Sequence, residues 1–437
     1  MADPYILDDG AHIAVIGGGP TGSFFSIFAL KMAKMIGKEI NVTIYEQKDF
    51  TKAGPLGCNR CGGIISELLV QTLAVEGINL PDSLVQRGIH SYKLHSNYGN
   101  AFIATPAHEK TIATVYRGGG PKGIIGKDKE SFDGFLLNLA MKEGALHNPA
   151  RIERIEYKDK RPVLFSKDLK VGEPDLVVGA IGVKSQTSKI FEDMGFGYKR
   201  PETVSAAIAE MSMDTTIISE YFGNSVNLFL LPVKDMKFAA MIPKGTYVTI
   251  CILGKNINQN TVHEFINYPV VQSILPGAGT YKIDCHCLPK MNTGAPEVPF
   301  TDRVVMCGDA GSTRLFKDGL GAAYIMGKAA AKTAIFHGVG KEHFRRDYYP
   351  VYKSIVIDNR FGRFLFAMTD LHKNYKRLTG GMLRVVQKEQ GNSQYPKRLS
   401  SILWDMFTGN ERYKNIFRRA ISLPMFYDLC REYIKTE

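Results

Sequence analysis

The chain has 437 residues, 44% hydrophobic and 22% charged, a balance that excludes a disordered or fibrous protein and suits two or three interleaved globular domains. Its formal charge of +12 is concentrated late, with 13 Lys and Arg against 6 Asp and Glu from Leu371 onward. No nucleic-acid module accompanies that excess, so nucleic acid is not expected as a partner; the tail reads as a solvated helical face or as a contact with a membrane surface or an acidic partner.

No run approaches the roughly 18 apolar residues of a spanning helix. The N-terminus passes through Asp8 and Asp9 straight into a strand, so the expectation is a cytoplasmic chain without a cleaved leader. His12–Ile16 then reads as a buried strand, Gly17-Gly18-Gly19-Pro20-Thr21-Gly22 as a glycine turn, and Ser23–Lys34 as an apolar helix. Gly17 permits the tight turn, Gly19 lets the backbone approach a pyrophosphate, and Gly22 allows close helix–strand packing. Pro20 and Thr21 stand at the helix N-terminus, whose positive end receives the phosphates. A second strand, Asn41–Tyr45, ends in Glu46, spaced as a carboxylate that accepts hydrogen bonds from adenosine ribose hydroxyls. These residues predict a dinucleotide site.

Further along, Gly57-Cys58-Asn59-Arg60-Cys61-Gly62-Gly63 forms a two-cysteine loop. Thr114–Gly123 is basic and glycine-rich; Arg117 with backbone N–H groups can hold a phosphate or an anionic head there, or the segment is a surface turn. Ser131–Leu137 and Pro174–Ser185 add a helix and a strand–turn. Thr203–Asp284 alternates apolar and polar residues, as in Ser225–Leu231 and Tyr247–Leu253, and predicts an antiparallel sheet. Cys285 and Cys287 flank His286. With Cys58 and Cys61 they offer four soft ligands to zinc or an iron–sulfur cluster, provided the fold unites the pairs; a redox disulfide or independent thiols are the alternatives.

Arg303–Cys307 is another strand, leading into Gly308-Asp309-Ala310-Gly311 and then Lys317-Asp318-Gly319-Leu320-Gly321-Ala322-Ala323 before a small-residue helix. Asp309 at a strand end can accept from a ribityl hydroxyl. The turn at Gly319, Leu320 and Gly321 opens a helix whose N-terminus stabilises negative charge on a reduced flavin. A nicotinamide domain has no use for this second motif, so FAD is the expected cofactor. Beyond Gly340, Phe344–Arg360 and Leu403–Arg419 have amphipathic helical spacing.

In this order the segments resemble the para-hydroxybenzoate hydroxylase superfamily, and within it the geranylgeranyl reductase family, over most of residues 10–340. The expected fold is α/β: a discontinuous Rossmann-like FAD-binding domain (1–80, 105–190, 285–340), an antiparallel-sheet substrate domain (81–104, 191–284) and a C-terminal helical region (341–437). The resemblance implies an FAD-dependent oxidoreductase that saturates a carbon–carbon double bond of a hydrophobic, isoprenoid-like or quinone-like substrate. Cys61-Gly62-Gly63 matches the family's cysteine–glycine loop against the flavin ring, which makes Cys61 the candidate proton donor. The family's Gly-Ala-Asp-Gly turn here reads Gly179-Ala180-Ile181-Gly182; loss of the aspartate makes a ferredoxin-like protein donor an alternative to NAD(P)H. The family's aromatic Tyr-x-Trp-x-Phe-Pro strand becomes Phe238-Ala239-Ala240-Met241-Ile242-Pro243, whose smaller side chains widen the cavity. The rival readings are an FAD-dependent aromatic or quinone monooxygenase and a flavin electron-transfer subunit of a larger complex.

Overall fold

The computed structural model describes residues 3–107, 110–122, 130–183, 185–277 and 279–434. Gly123 and Lys184, which belong to two of the motifs above, lie outside the described residues. The chain forms two compact units. One comprises Met1–Lys52, Glu130–Thr203 and Asn292–Ile357; the other comprises Ala53–Lys129, Val204–Met291 and Asp358–Glu437. Residues 53–80 and 105–129, grouped above with the FAD-binding segments, and the tail from Asp358 thus cluster with the second unit.

The first unit is built on a six-stranded sheet in the order Phe300–Thr301, Val304–Met306, Leu176–Gly179, Ala11–Ile16, Ile40–Tyr45, Leu146–Asn148. Neighbours run parallel except at the Phe300–Thr301 edge. Ala11–Ile16 is central, which explains its nearly unbroken apolar run: Ile13, Ala14 and Val15 are fully buried, as a strand covered on both faces requires. Because the strands are parallel, their carboxyl ends share one edge, and the turns that follow meet there. Gly17 N–H donates to Tyr45 O, Ala180 N–H to Ile16 O and Cys307 N–H to Gly179 O, at 2.9, 2.9 and 3.0 Å. Helices Pro20–Met35 and Gly319–Phe336 pack tightly: a Cβ on Gly327 would lie 3.0 Å from Phe25 N and Thr21 O.

The main sheet of the second unit runs in the order Tyr281–Cys287, Thr203–Met213, Tyr247–Gly254, Met236–Pro243, Ser225–Leu230, Ser91–Ser96, Gly99–Ala104. Within Thr203–Asp284 the pairings are antiparallel, as the alternation predicts, and a parallel pairing joins Ser225–Leu230 to the upstream strand Ser91–Ser96. The register separates two faces. Ala207, Ala209, Met211, Ile250, Ile252 and Met241 point into an apolar core with Phe222, Phe265 and Val271. Their neighbours in sequence, including Glu210, Thr249 and Cys251, face the other way.

The C-terminal helices complete this unit. Trp404 is fully buried, its ring 5.2 Å from that of Tyr92 and its Nε1 donating to Lys110 O at 3.1 Å. The single helix predicted over Leu403–Arg419 is instead two, Arg398–Thr408 and Tyr413–Ala420. Gly409, at φ +76, caps the first in the left-handed conformation that ends helices. Among the described residues no helix is long and apolar enough to cross a membrane.

Replacing Trp404 by Ala removes the ring from Tyr92 and opens a cavity, with an expected loss of about 3–5 kcal/mol of stability. Denaturant titration followed by far-ultraviolet circular dichroism measures it, since Trp404 is the chain's only tryptophan and its fluorescence is lost with it.

Candidate functional site

In the first unit, three turns meet at the carboxyl edge of the sheet. Gly17 has φ +109, and a Cβ on it would stand 2.4 Å from Ala180 O; a Cβ on Gly22 would stand 2.0 Å from Gly17 O. Both positions exclude any side chain. Gly19 differs: open space lies beyond its α-carbon. It caps helix Pro20–Met35 without a side-chain hydrogen bond, and no acidic residue occupies the first turn. That helix end, carrying Pro20 and Thr21, is electropositive and suited to an anion.

Glu46 is buried, and its two carboxylate oxygens accept from Gly18 N–H at 3.0 Å and Lys48 N–H at 2.8 Å. Each oxygen keeps a further lone pair for a ligand hydroxyl. Gly308, at φ +63, brings the distant motif against the first, since a Cβ there would lie 2.2 Å from Thr21 Oγ1. Asp309 follows on the short 3-10 turn Gly308–Ala310, and Asn292 Nδ2 fixes its carbonyl at 2.7 Å. Gly17, Gly19, Pro20, Thr21, Gly22, Glu46 and Asp309 are thus gathered at one edge.

The Gly319 turn is built differently from the expectation. Asp318 adopts φ +55 and caps helix Gly319–Phe336, its Oδ1 accepting from Gly321 N–H at 3.0 Å. Arg314 Nη1 reaches the other oxygen at 3.0 Å. Burial pushes the Asp318 carboxyl up, while Arg314 and the Gly321 N–H pull it back. The helix end that sequence reading reserves for flavin charge therefore already carries a neutralised acid. Gly321 must be glycine because a Cβ would meet Asp318 Oδ2 at 2.4 Å; Leu320 is buried and Gly319 exposed.

In the second unit the two-cysteine loop lies on the sheet face opposite the core. A Cβ on Gly62 would stand 3.0 Å from Cys251 Sγ and 3.1 Å from Ile242 Cδ1; one on Gly63, at φ +68, would stand 2.1 Å from Val115 O and 3.3 Å from Lys244 Nζ. Close packing on backbone thus dictates glycine at Gly63, while Gly62 lies tightly against the ends of two side chains. Arg117, read above either as a holder of a phosphate or anionic head or as part of a surface turn, sends its Nη1 to Cys61 Sγ at 3.3 Å. Its neighbour Gly118 abuts Gly57 O, at 2.1 Å from a built Cβ.

The four-thiol metal site does not form: among the described residues no three His, Cys, Asp or Glu side chains are arranged to hold a metal ion. Cys58 does come near Cys285 and Cys287, close enough to raise both thiols electrostatically. Cys61, however, is turned toward Arg117, beyond the left-handed Arg60 at φ +52. Cys285 and Cys287 are alternate residues on the strand Tyr281–Cys287, so their side chains share one face. Burial first, and Cys58 next, push the Cys287 thiol up to about 12.

Sequence reading missed the charged pair on this face. Glu210 and Lys244 are 6% and 1% exposed; Thr249 Oγ1 donates to Glu210 Oε2 at 2.7 Å, and Lys244 Nζ lies 5.4 Å from the Tyr116 ring centre. Burial raises the Glu210 carboxyl, with Lys244 and the Thr249 hydroxyl opposing it. The available signal was a lone acid inside the apolar strand Thr203–Met213 and a lysine directly after Pro243.

No family model matches the sequence, and no curated protein matches it. Solved structures do. A geranylgeranyl bacteriochlorophyll reductase-like protein from Thermoplasma acidophilum superposes with TM-score 0.66 at 15% identity, over 94% of this chain and 98% of its own. The flavin-dependent brominase Bmp2 gives 0.60 at 15% identity, over 94% and 98%. A mutant of the halogenase PltM in complex with FAD gives 0.62 at 14% identity, over 95% and 87%. At such identity the likeness is one of fold.

Because the Glu210 pKa is raised above its usual 4.5, the wild type loses stability as pH rises from the ordinary carboxylate range through the folded-state value. Glu210→Gln lacks that loss. Its stability relative to wild type should increase as pH rises above the ordinary carboxylate range, read by denaturant titration at successive pH values; a constant difference would count against a raised carboxyl.

Proposed function

We propose that the chain is an FAD-dependent oxidoreductase that reduces a carbon–carbon double bond in a hydrophobic, isoprenoid-like or quinone-like small molecule. The observation that carries this reading is the approach of Gly308 to Thr21, which unites two glycine motifs from opposite ends of the chain into one cradle. Gly17, Gly19, Pro20, Thr21 and Gly22 would hold the pyrophosphate at the helix N-terminus. Glu46 would accept from the ribose hydroxyls and Asp309 from the ribityl chain. The Asp318–Arg314 pair stiffens the Gly319–Gly321 turn.

When bound, FAD supplies the hydride that one alkene carbon takes up. Cys61 carries the proton for the other carbon at Sγ, and the Arg117 guanidinium, 3.3 Å away, stabilises the thiolate left when that proton departs. Gly62 and Gly63 hold Cys61 against the sheet. Ile208, Ala240 and Ile242, on the same face, offer apolar surface to a hydrocarbon. Ile181 provides no carboxylate at the turn after Leu176–Gly179, which favours a ferredoxin-like donor over NAD(P)H. A second reading, an oxygen-using enzyme acting on an aromatic or quinone, draws support from the fold likeness to the brominase Bmp2 and to an aklavinone-11 hydroxylase.

Anaerobically purified protein should carry flavin absorption bands, and Gly308→Val, whose side chain has no room beside Thr21, should lose them; a wild type without flavin would sink the reading. Chemically reduced protein should convert an isoprenoid alkene or a quinone without oxygen. Cys61→Ser should slow that conversion by about 10²- to 10⁴-fold while flavin content stays unchanged. Turnover that requires oxygen would select the second reading.

A further inference from the structure

Helix Leu423–Tyr433 is turned inside out. Leu423, Phe426, Tyr427 and Ile434, just past its end, are 84%, 64%, 66% and 78% exposed, while Met425, Asp428 and Glu432 are buried. The acids point inward because bases await them: Arg398 Nη1 reaches Asp428 at 2.9 Å, and Lys388 pairs with Glu432. An ordinary surface helix has the opposite arrangement.

A second exposed stripe adjoins the first. Phe364, Met368, Leu371 and Tyr375 recur at helical spacing and are exposed. The Phe364 ring lies 5.3 Å from that of Phe417 on helix Tyr413–Ala420, and His372 Nε2 is 2.7 Å from the hydroxyl of Tyr433. Arg360, Arg377, Lys414, Arg418 and Arg431 are exposed around these stripes, and every Asp and Glu between Asp358 and Ile434 is buried or half-buried. The surface is apolar at its centre and carries exposed charge of one sign.

We propose that this surface, the Leu423–Ile434 face together with the Phe364–Tyr375 stripe, docks on an anionic lipid bilayer. Aromatic and aliphatic side chains enter the headgroup boundary while arginine and lysine meet lipid phosphates. A second copy of the chain fits worse, because a two-fold contact would set Arg418 and Arg431 against like charges. The proposal does not depend on the redox reading, and its test does not involve turnover.

The test is co-sedimentation of the full chain with phosphatidylglycerol-containing vesicles and with neutral phosphatidylcholine vesicles, alongside sedimentation velocity of the protein alone. Binding is expected to the anionic vesicles, to weaken with salt, and to fall about fivefold for each of Arg418→Ala and Arg431→Ala. Leu423→Asp with Phe426→Asp, at exposed positions that leave the circular dichroism unchanged, should abolish it. No binding to anionic vesicles, equal binding to neutral ones, or a dimer that these same substitutions dissolve would overturn the proposal.

Discussion

Three backbone approaches that leave no room for a β-carbon govern the first unit: Gly17 on Ala180, Gly22 on Gly17, and Gly308 on Thr21. They are possible only because parallel strands deliver their turns to one edge of the sheet. Once the turns touch, helix Pro20–Met35 begins at that edge with an uncapped N-terminus, and Glu46 is drawn in by two backbone N–H groups. The close crossing with helix Gly319–Phe336 at Gly327 holds the third turn in place. An uncapped helix N-terminus, a buried acid and a strand-end aspartate thus follow from one packing constraint.

The second unit solves a different problem, a sheet with an apolar core on one face and polar chemistry on the other. Ala207, Ala209 and Met211 alternate along one strand with Ile208 and Glu210, so a single strand serves both. A buried carboxylate and ammonium are costly to desolvate and are tolerated only with partners. Glu210 has Lys244 and Thr249, and Lys244 lies near the Tyr116 ring. Arg117 beside Cys61 adds a cation next to a thiol on the same face. The Cys285 and Cys287 thiols, raised by burial, are suited to staying protonated.

The C-terminal helices invert the usual distribution of side chains because their acids are consumed inside. Asp405 meets Lys110 and Arg419, Asp428 meets Arg398, and Glu432 meets Lys388. What remains outward is apolar and basic. The late surplus of Lys and Arg in the sequence therefore becomes a surface property through the burial of its counter-charges.

The sequence by itself determined the elements that need a particular residue type locally. A left-handed turn or a missing β-carbon demands glycine wherever it occurs, so Gly17, Gly22 and Gly308 could be read without a structure, as could the doubly covered strand Ala11–Ile16 and the carboxylate at Glu46. Tertiary structure alone decided which face of each element meets which neighbour. It split the four cysteines, turned Arg117 to Cys61, gave the Gly321 turn its Asp318–Arg314 pair, buried Glu210 with Lys244, and set Leu423 and Phe426 outward. Alternation along a strand or helix defines two faces, but only the partner packed against the element fixes which of them is removed from water.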